Sequence, residues 1–264
     1  MFLLNPSTRE IRELLDSPFA TEYAMNGLGC DSSADDYKVL AIDVKFDPDG
    51  AVDDDDESWR TYTIASMYSL TTDSWRRIQD VPNYHSRSLS IYSDDMVLVN
   101  GSLHWLLFGS YSNSFLIAAF DVADEKFRDV QRPSSIVNNN FNMLYILGVC
   151  RGRLCIFLCS YTYSFQIDVW VMQEYGVTES WTKYTRYVDN MYMKQPLFYL
   201  VDDEVLLRKD GERLLAFNAE KKTSRYIEVC GIPAMFNGGS GGMTYVESLV
   251  SPSPYHTTRW IDGG

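Results

Sequence analysis

A chain of 264 residues, 45% of them hydrophobic, is long enough to bury a sizeable core. Its net charge of −13 excludes the basic stripe that a nucleic-acid partner or an anionic membrane surface requires. The five cysteines are an odd count, and the amino terminus (Met1-Phe2-Leu3-Leu4-Asn5-Pro6) lacks the apolar core of a secretion signal. Free thiols in the cytoplasm or nucleus are therefore expected, and no run approaches a membrane span.

Read in order, the chain repeats one figure. Leu4-Asn5-Pro6-Ser7-Thr8-Arg9-Glu10-Ile11-Arg12 opens on a large apolar residue, crosses a short polar stretch and closes on an Arg eight positions later. Tyr68-Ser69-Leu70-Thr71-Thr72-Asp73-Ser74-Trp75-Arg76 is the second copy. Phe120 through Arg128 and Phe217 through Arg225 are two more, and residues 170–183 form a fifth with a longer connection and Trp181 at its far end. Each reads as strand, tight turn, strand, because short polar side chains can hydrogen-bond the backbone left unpaired at the bend.

A second figure alternates with the first. Gly101 in Val99-Asn100-Gly101-Ser102-Leu103-His104-Trp105 and Gly152 in Cys150-Arg151-Gly152-Arg153-Leu154-Cys155-Ile156 predict hairpin turns with positive φ. Asp36 and Asp203 fill the same slot, Asp being tolerant of the left-handed region. From first figure to second, the spacings are 32, 33, 32 and 33; from second back to first they are 32, 19, 18 and 14. One fixed and one elastic interval predict a repeat of about fifty residues with four strands and one variable loop, which is the signature of a kelch-like β-propeller.

The predicted strands follow from that frame. Residues 26–31 and 38–44 form an inner pair, and 45–57 is an acidic insertion expected to be a mobile loop. Residues 61–68 complete that sheet. The next sheet takes 96–108, 115–120 and 126–130; the fourth takes 145 onward, 154–158, 165–171 and 181–184; the fifth takes 197–201, 205–208, 213–217 and 225–229. After the Gly-rich stretch 238–242, residues 243–250 read as one more inner strand. The propeller domain is expected over 1–252, with 253–264 a loose tail.

Chemistry is sparse. His104 lies in a strand beside Trp105 and reads as a hydrogen-bonded structural histidine, whereas His85 and His256 fall in a loop and the tail. Cys155 and Cys159, four apart in a strand and so on one face, read with Cys150 as small buried thiols rather than a zinc site. Arg12, Arg76, Arg128 and Arg225 are expected to pair with neighbouring acids. No catalytic residue, metal or cofactor is expected.

Binding remains. The elastic interval places Asp53, Asp54, Asp55 and Asp56, then Tyr111 and Asn113, then Tyr161 and Tyr163, on one rim together with Tyr84, His85 and Arg87. Loops rich in Tyr, Ser and Asn on a rigid scaffold have the composition of a recognition surface. Its acidity predicts a basic patch on the bound protein.

A family resemblance rests on long ordered motifs. These are Phe2-Leu3-Leu4-Asn5-Pro6-Ser7-Thr8-Arg9-Glu10, Gly29-Cys30-Asp31-Ser32-Ser33-Ala34-Asp35-Asp36-Tyr37-Lys38-Val39, Tyr68 through Arg76, Val99 through Trp105, Asp168 through Trp181 (with Glu174-Tyr175-Gly176-Val177 inside it) and Tyr245-Val246-Glu247-Ser248-Leu249. Together they resemble the type 1 F-box-associated domain of plant F-box proteins over roughly residues 2–252. The resemblance implies about six kelch-like blades, with about five repeat units visible here and the N-terminal one incomplete. It also implies a substrate-recognition module of an SCF-type ubiquitin ligase, acting as a monomer on a protein client.

In that family an F-box preceding the propeller grips a Skp adaptor and, through it, a cullin; no F-box is recognised in this sequence, so coupling to both depends on one upstream. Two other readings are weighed. One is a stand-alone interaction propeller without ubiquitination. The other is a propeller hydrolase or a copper oxidase of the galactose-oxidase type, against which stand the missing Ser-x-Asp-x-Gly-x-Thr-Trp repeats and the missing Tyr/His copper constellation.

Overall fold

A computed structural model of the protein describes residues 1–21, 24–46, 61–79, 81–82, 87–89, 96–109, 115–136, 143–160, 165–189, 194–199, 204–209, 213–218, 221, 223–227, 250–252 and 259–260. These form antiparallel sheets. The first holds β1 (Phe2–Asn5) and β2 (Glu10–Glu13), joined by β20 (Arg259–Trp260). The second runs β3 (Met25–Asp31), β4 (Asp36–Phe46), β5 (Thr61–Ser69) and β6 (Ser74–Arg77) in order.

In the third, β9 (Ser102–Gly109), β10 (Phe115–Asp121) and β11 (Lys126–Val130) follow an inner position shared by two short strands, β7 (Arg87–Leu89) and β8 (Val97–Val99). The fourth is β12 (Met143–Cys150), β13 (Arg153–Ser160), β14 (Phe165–Met172) and β15 (Trp181–Asp189). The fifth is β16 (Lys194–Tyr199), β17 (Glu204–Lys209), β18 (Arg213–Asn218) and β19 (Thr223–Ile227). Consecutive strands in each sheet pair antiparallel, and the inner strands β3, β8, β12 and β16 neighbour one another from sheet to sheet. These are the blades of the all-β propeller that the spacing predicts.

Burial explains why the strands read as nearly continuous apolar runs. Successive side chains point to opposite faces, and in the central strands of the second to fourth blades both faces are buried. In β13, Leu154, Ile156 and Leu158 pack toward the third blade with Phe115, Ile117 and Tyr145. The intervening Cys155, Phe157 and Cys159 pack on the other face with Ile167, Val169 and Val171. In β9 and β10, Leu103, Trp105, Leu107, Ala118 and Phe120 face back to Leu40, Ile42, Ala65 and Met67 of the second blade. Val39, Tyr68 and Leu70 join Leu14 between the first and second. Cys150, Cys155 and Cys159 are buried and in no disulfide, and burial pushes the Cys155 and Cys159 thiols up.

The turns follow two designs. Asn100 and Gly101 have φ of 50° and 73°, and Arg151 and Gly152 have 49° and 75°, so both two-residue hairpins are type I′ turns of the kind the glycines predict. The outer turns are longer, with the first residue accepting backbone N–H bonds. Asn5 Oδ1 accepts from Ser7 and Thr8, Asp121 Oδ1 from Ala123 and Asp124, and Asn218 Oδ1 from Lys221. Arg9, Asp73 and Glu125 then take positive φ just before the next strand.

Two expectations change. Asp36 does not fill a positive-φ slot: it begins β4, and Asp35 carries the φ of 50°. The 31–36 connection is an outer-type turn capped by Asp31 Oδ1, so the left-handed position falls one residue earlier. Within the tail expected to be loose, Arg259 and Trp260 form β20 against β2. Residue 203, the strand expected at 243–250 except its last residue, and the acidic insertion from 47 onward lie outside the described residues.

Candidate functional site

The end of the propeller that carries the outer turns is cross-braced between blades. Arg12 on β2 donates to Asp73 of the second blade's outer turn at 2.6 Å and to the Tyr68 hydroxyl at 3.1 Å. Tyr68 donates in turn to Asp73. Burial, then that carboxylate, pushes the Tyr68 hydroxyl up to about 12, while Tyr68 and Arg12 lower Asp73. One blade on, Arg76 donates to Glu125 of the third blade's turn. Arg128 instead pairs with Asp121 of its own turn at 2.6 Å, and Arg225 with Glu204 at 2.7 Å. All four repeat-closing arginines thus meet acids and form no ligand ring.

A buried cation completes the brace between the second and third blades. Lys38 Nζ donates to Asp31 at 2.7 Å, Glu125 at 3.0 Å and the Val122 carbonyl at 3.3 Å. Burial alone would lower this ammonium, but the two carboxylates outweigh it and raise its pKa. Asp31 is held far below the usual carboxylate range, first by Lys38 and then by Ser33. Reading the sequence for chemistry passes over Lys38; the available signal is a cation seven residues after an Asp, directly before the apolar run Val39-Leu40-Ala41-Ile42.

His104 is fully buried, as expected of a structural residue. The Val97 carbonyl, 3.2 Å from Nδ1, can only accept, so Nδ1 carries the proton and Nε2 accepts from the Tyr175 hydroxyl at 2.9 Å. Burial pushes the imidazole down to about 4. Tyr175 sits in the long outer connection of the fourth blade, shaped by Gly176 at φ 81° and by Ser180 Oγ, which contacts the Glu174 and Val177 carbonyls.

The opposite end belongs to the connections between second and third strands. Phe46 pairs with Thr61, Phe108 with Phe115, and Ser160 with Gln166, so the flanking strand ends are in register in three blades. Asp53, Asp54, Asp55, Asp56, Tyr84, His85, Tyr111, Asn113, Tyr161 and Tyr163 lie outside the described residues. Arg87 opens β7, its backbone opposite Gly109.

Family comparison decides the class. Residues 1–251 match the F-box associated beta propeller domain. The chain belongs to that family. This F-box associated domain is 33% identical to F-box protein CPR1 of Arabidopsis thaliana over 261 residues, covering 89% of this chain and 60% of that protein. It is 25% identical over 262 residues to an F-box/kelch-repeat protein of the same plant, covering 96% of this chain and 64% of the relative. The chain therefore spans a little over three fifths of the length of these relatives.

Among solved structures, a NanB sialidase from Streptococcus pneumoniae gives a TM-score of 0.42 at 10% identity over 81% of this chain and 50% of that one. YCF48 bound to D1 peptide gives 0.31 at 12% identity over 86% and 83%. Both likenesses are too low to argue from. Among the described residues, no helix is long and apolar enough to cross a membrane.

Proposed function

We propose that this F-box associated domain is the substrate-recognition module of an SCF-type ubiquitin ligase, binding a protein client and catalysing nothing itself. The observation that carries the proposal is family membership across 1–251, joined to relatives whose names are those of F-box proteins. The scaffold supports it: buried ion pairs and Asx-capped turns fix one end, while the connections between second and third strands leave from the other, a division suited to presenting loops rigidly. We infer that the client contacts are made by Asp53, Asp54, Asp55, Asp56, Tyr84, His85, Arg87, Tyr111, Asn113, Tyr161 and Tyr163. The net charge of −13 favours a client with a basic patch. Skp and cullin join through an F-box outside this domain.

The test is affinity purification of the tagged chain from plant cells, compared with a Tyr111→Ala/Tyr161→Ala/Tyr163→Ala variant of unchanged thermal stability. The expected result is a discrete client that the variant loses. Retention of every client by the variant overturns the rim assignment. Ubiquitination of that client only when the domain is fused behind an F-box supports the ligase role; a client bound but never ubiquitinated by the fusion favours a stand-alone interaction module.

A further inference from the structure

The outer edge of a propeller blade is a row of backbone groups without a ladder partner, able to take an added strand. Among the described residues β6, β11, β15 and β19 end their sheets, and only β2 carries another strand beyond it. That strand is β20, with Glu10 opposite Trp260 and Ile11 opposite Arg259. Two contacts lead the chain to this edge. Asn5 Nδ2 donates to the Val250 carbonyl at 2.7 Å, and Arg12 Nη1 donates to the Pro252 carbonyl at 3.0 Å.

Charge separates β2 from its counterparts. Glu10-Ile11-Arg12-Glu13 is net acidic, and its Arg12 is already turned to Asp73, Tyr68 and Pro252. Ser74-Trp75-Arg76-Arg77, Lys126-Phe127-Arg128-Asp129-Val130 and Thr223-Ser224-Arg225-Tyr226-Ile227 are net basic. The strand that lands on the acidic edge brings an Arg followed by a Trp. It covers two of the four β2 positions.

We propose that the outer edge of β2 is a strand-addition site for an extended basic–aromatic segment of a partner protein, and that Arg259–Trp260 occupies it in cis. Main-chain bonds supply affinity in this mode and side chains supply selectivity. The net negative charge that Glu10 and Glu13 give this edge favours a segment of net positive charge along it. A tethered occupant works at an effective concentration on the order of millimolar, so an external segment binds once the tail is displaced. The site is distinct from the client-binding rim and stands whether or not that rim is correct.

The probe is a fluorescent peptide with the tail's own sequence, Thr257-Thr258-Arg259-Trp260-Ile261-Asp262, titrated into the full chain and read by anisotropy. Trp260→Pro removes a strand donor from the cis tail. We expect this full-length variant to bind the peptide about tenfold or more tightly than the unaltered chain, by loss of the tethered competitor. Glu10→Lys added to Trp260→Pro should weaken binding again several-fold. Arg259→Glu provides an independent release of the tail if the proline variant does not fold. Equal affinity with and without the release substitutions, absence of binding in all variants, or indifference to Glu10→Lys overturns the proposal.

Discussion

Arg12 and Asp73 are joined across two blades, and the partner is not an arbitrary surface acid: Asp73 sits at the positive-φ position of the second blade's outer turn. Arg76 makes the same move onto Glu125, the positive-φ residue of the next turn. Arg128 cannot repeat it, because the fourth blade's longer connection places Gly176 in the left-handed conformation, without a carboxylate. For Arg12 and Arg76, the arginine that closes one figure and the acid inside the next are thus two halves of a single inter-blade contact.

The two contacts differ in worth. The Arg12 side chain is 11% exposed and also serves Tyr68 and Pro252, whereas Arg76 is 52% exposed. Losing several charge-assisted bonds at a mostly buried site should cost about 2 kcal/mol for Arg12→Met, and less than about 1 kcal/mol for the surface pair removed by Arg76→Met. Thermal melts of the two variants check the order; equal losses would mean the Arg12 hydrogen bonds are balanced by its desolvation.

How much of this was legible beforehand depends on whether the determinant was local. Gly101 and Gly152 sit in two-residue hairpins whose geometry is written in the turn itself, and both were readable. So were the buried cysteines of β13, since alternation fixes their face. Asp36 departs from its expected slot because a four-residue Asx-capped turn and a two-residue turn both place an Asp near a strand start. What distinguishes them is the acceptor Asp31, five residues earlier. Lys38 and the Arg12–Asp73 pair depend on which blade stands next to which, information that a repeat reveals only once the ring is assembled. The rim residues were placed by spacing alone, and most lie outside the described residues.

Acid should act in two windows. His104 is lowered to about 4, so between pH about 6.5 and 4 the unfolded chain binds a proton that the folded chain refuses. Stability contributed by neutral His104 is therefore complete above pH about 6.5 and is lost as pH falls toward 4, by roughly 3 kcal/mol across the window. Asp31, Asp73 and Glu125 have lowered folded values, so their contribution is present above the ordinary carboxylate range and disappears below it. His104→Gln should flatten the melting temperature between pH 6.5 and 4.5 while leaving the drop below pH 4. A variant whose profile keeps its slope between 6.5 and 4.5 would assign that slope elsewhere.

Close approach between the second and third blades rests on small residues. A Cβ on Gly29 would lie 2.6 Å from Val122 Cγ2, and one on Gly27 would lie 2.8 Å from Met96 Sδ. At Gly27 the Met96 thioether can swing aside but Met96 Cβ, at 2.9 Å, cannot, and at Gly29 the obstacle is Val122, branched and buried in the interblade core. Gly29→Ala should therefore destabilise by about 1–3 kcal/mol through overpacking. Adding Val122→Ala should recover part of that loss, a coupling that a double-mutant cycle measures.

Two tryptophans tie consecutive blades at their outer edges. Trp75 Nε1 donates to the Leu15 carbonyl at 2.7 Å, and Trp181 Nε1 donates to the Gln131 carbonyl at 2.8 Å. In both cases the acceptor lies just beyond the outer strand of the preceding blade. The equivalent position in the third blade is Phe127, which has no donor and instead packs edge-on to Trp105. Replacing Trp by Phe keeps the aromatic body and leaves the carbonyl without its donor. Water can take over at Leu15, beside an exposed contact, so Trp75→Phe should cost a few tenths to about 1 kcal/mol. Trp181 is buried in the core between the third and fourth blades, so Trp181→Phe should cost about 2 kcal/mol from the lost bond together with the vacated volume. Chemical denaturation followed by Trp fluorescence and by circular dichroism would compare them. A larger loss for Trp75→Phe than for Trp181→Phe would show that the hydrogen bond, rather than the interblade core, governs how these edges hold.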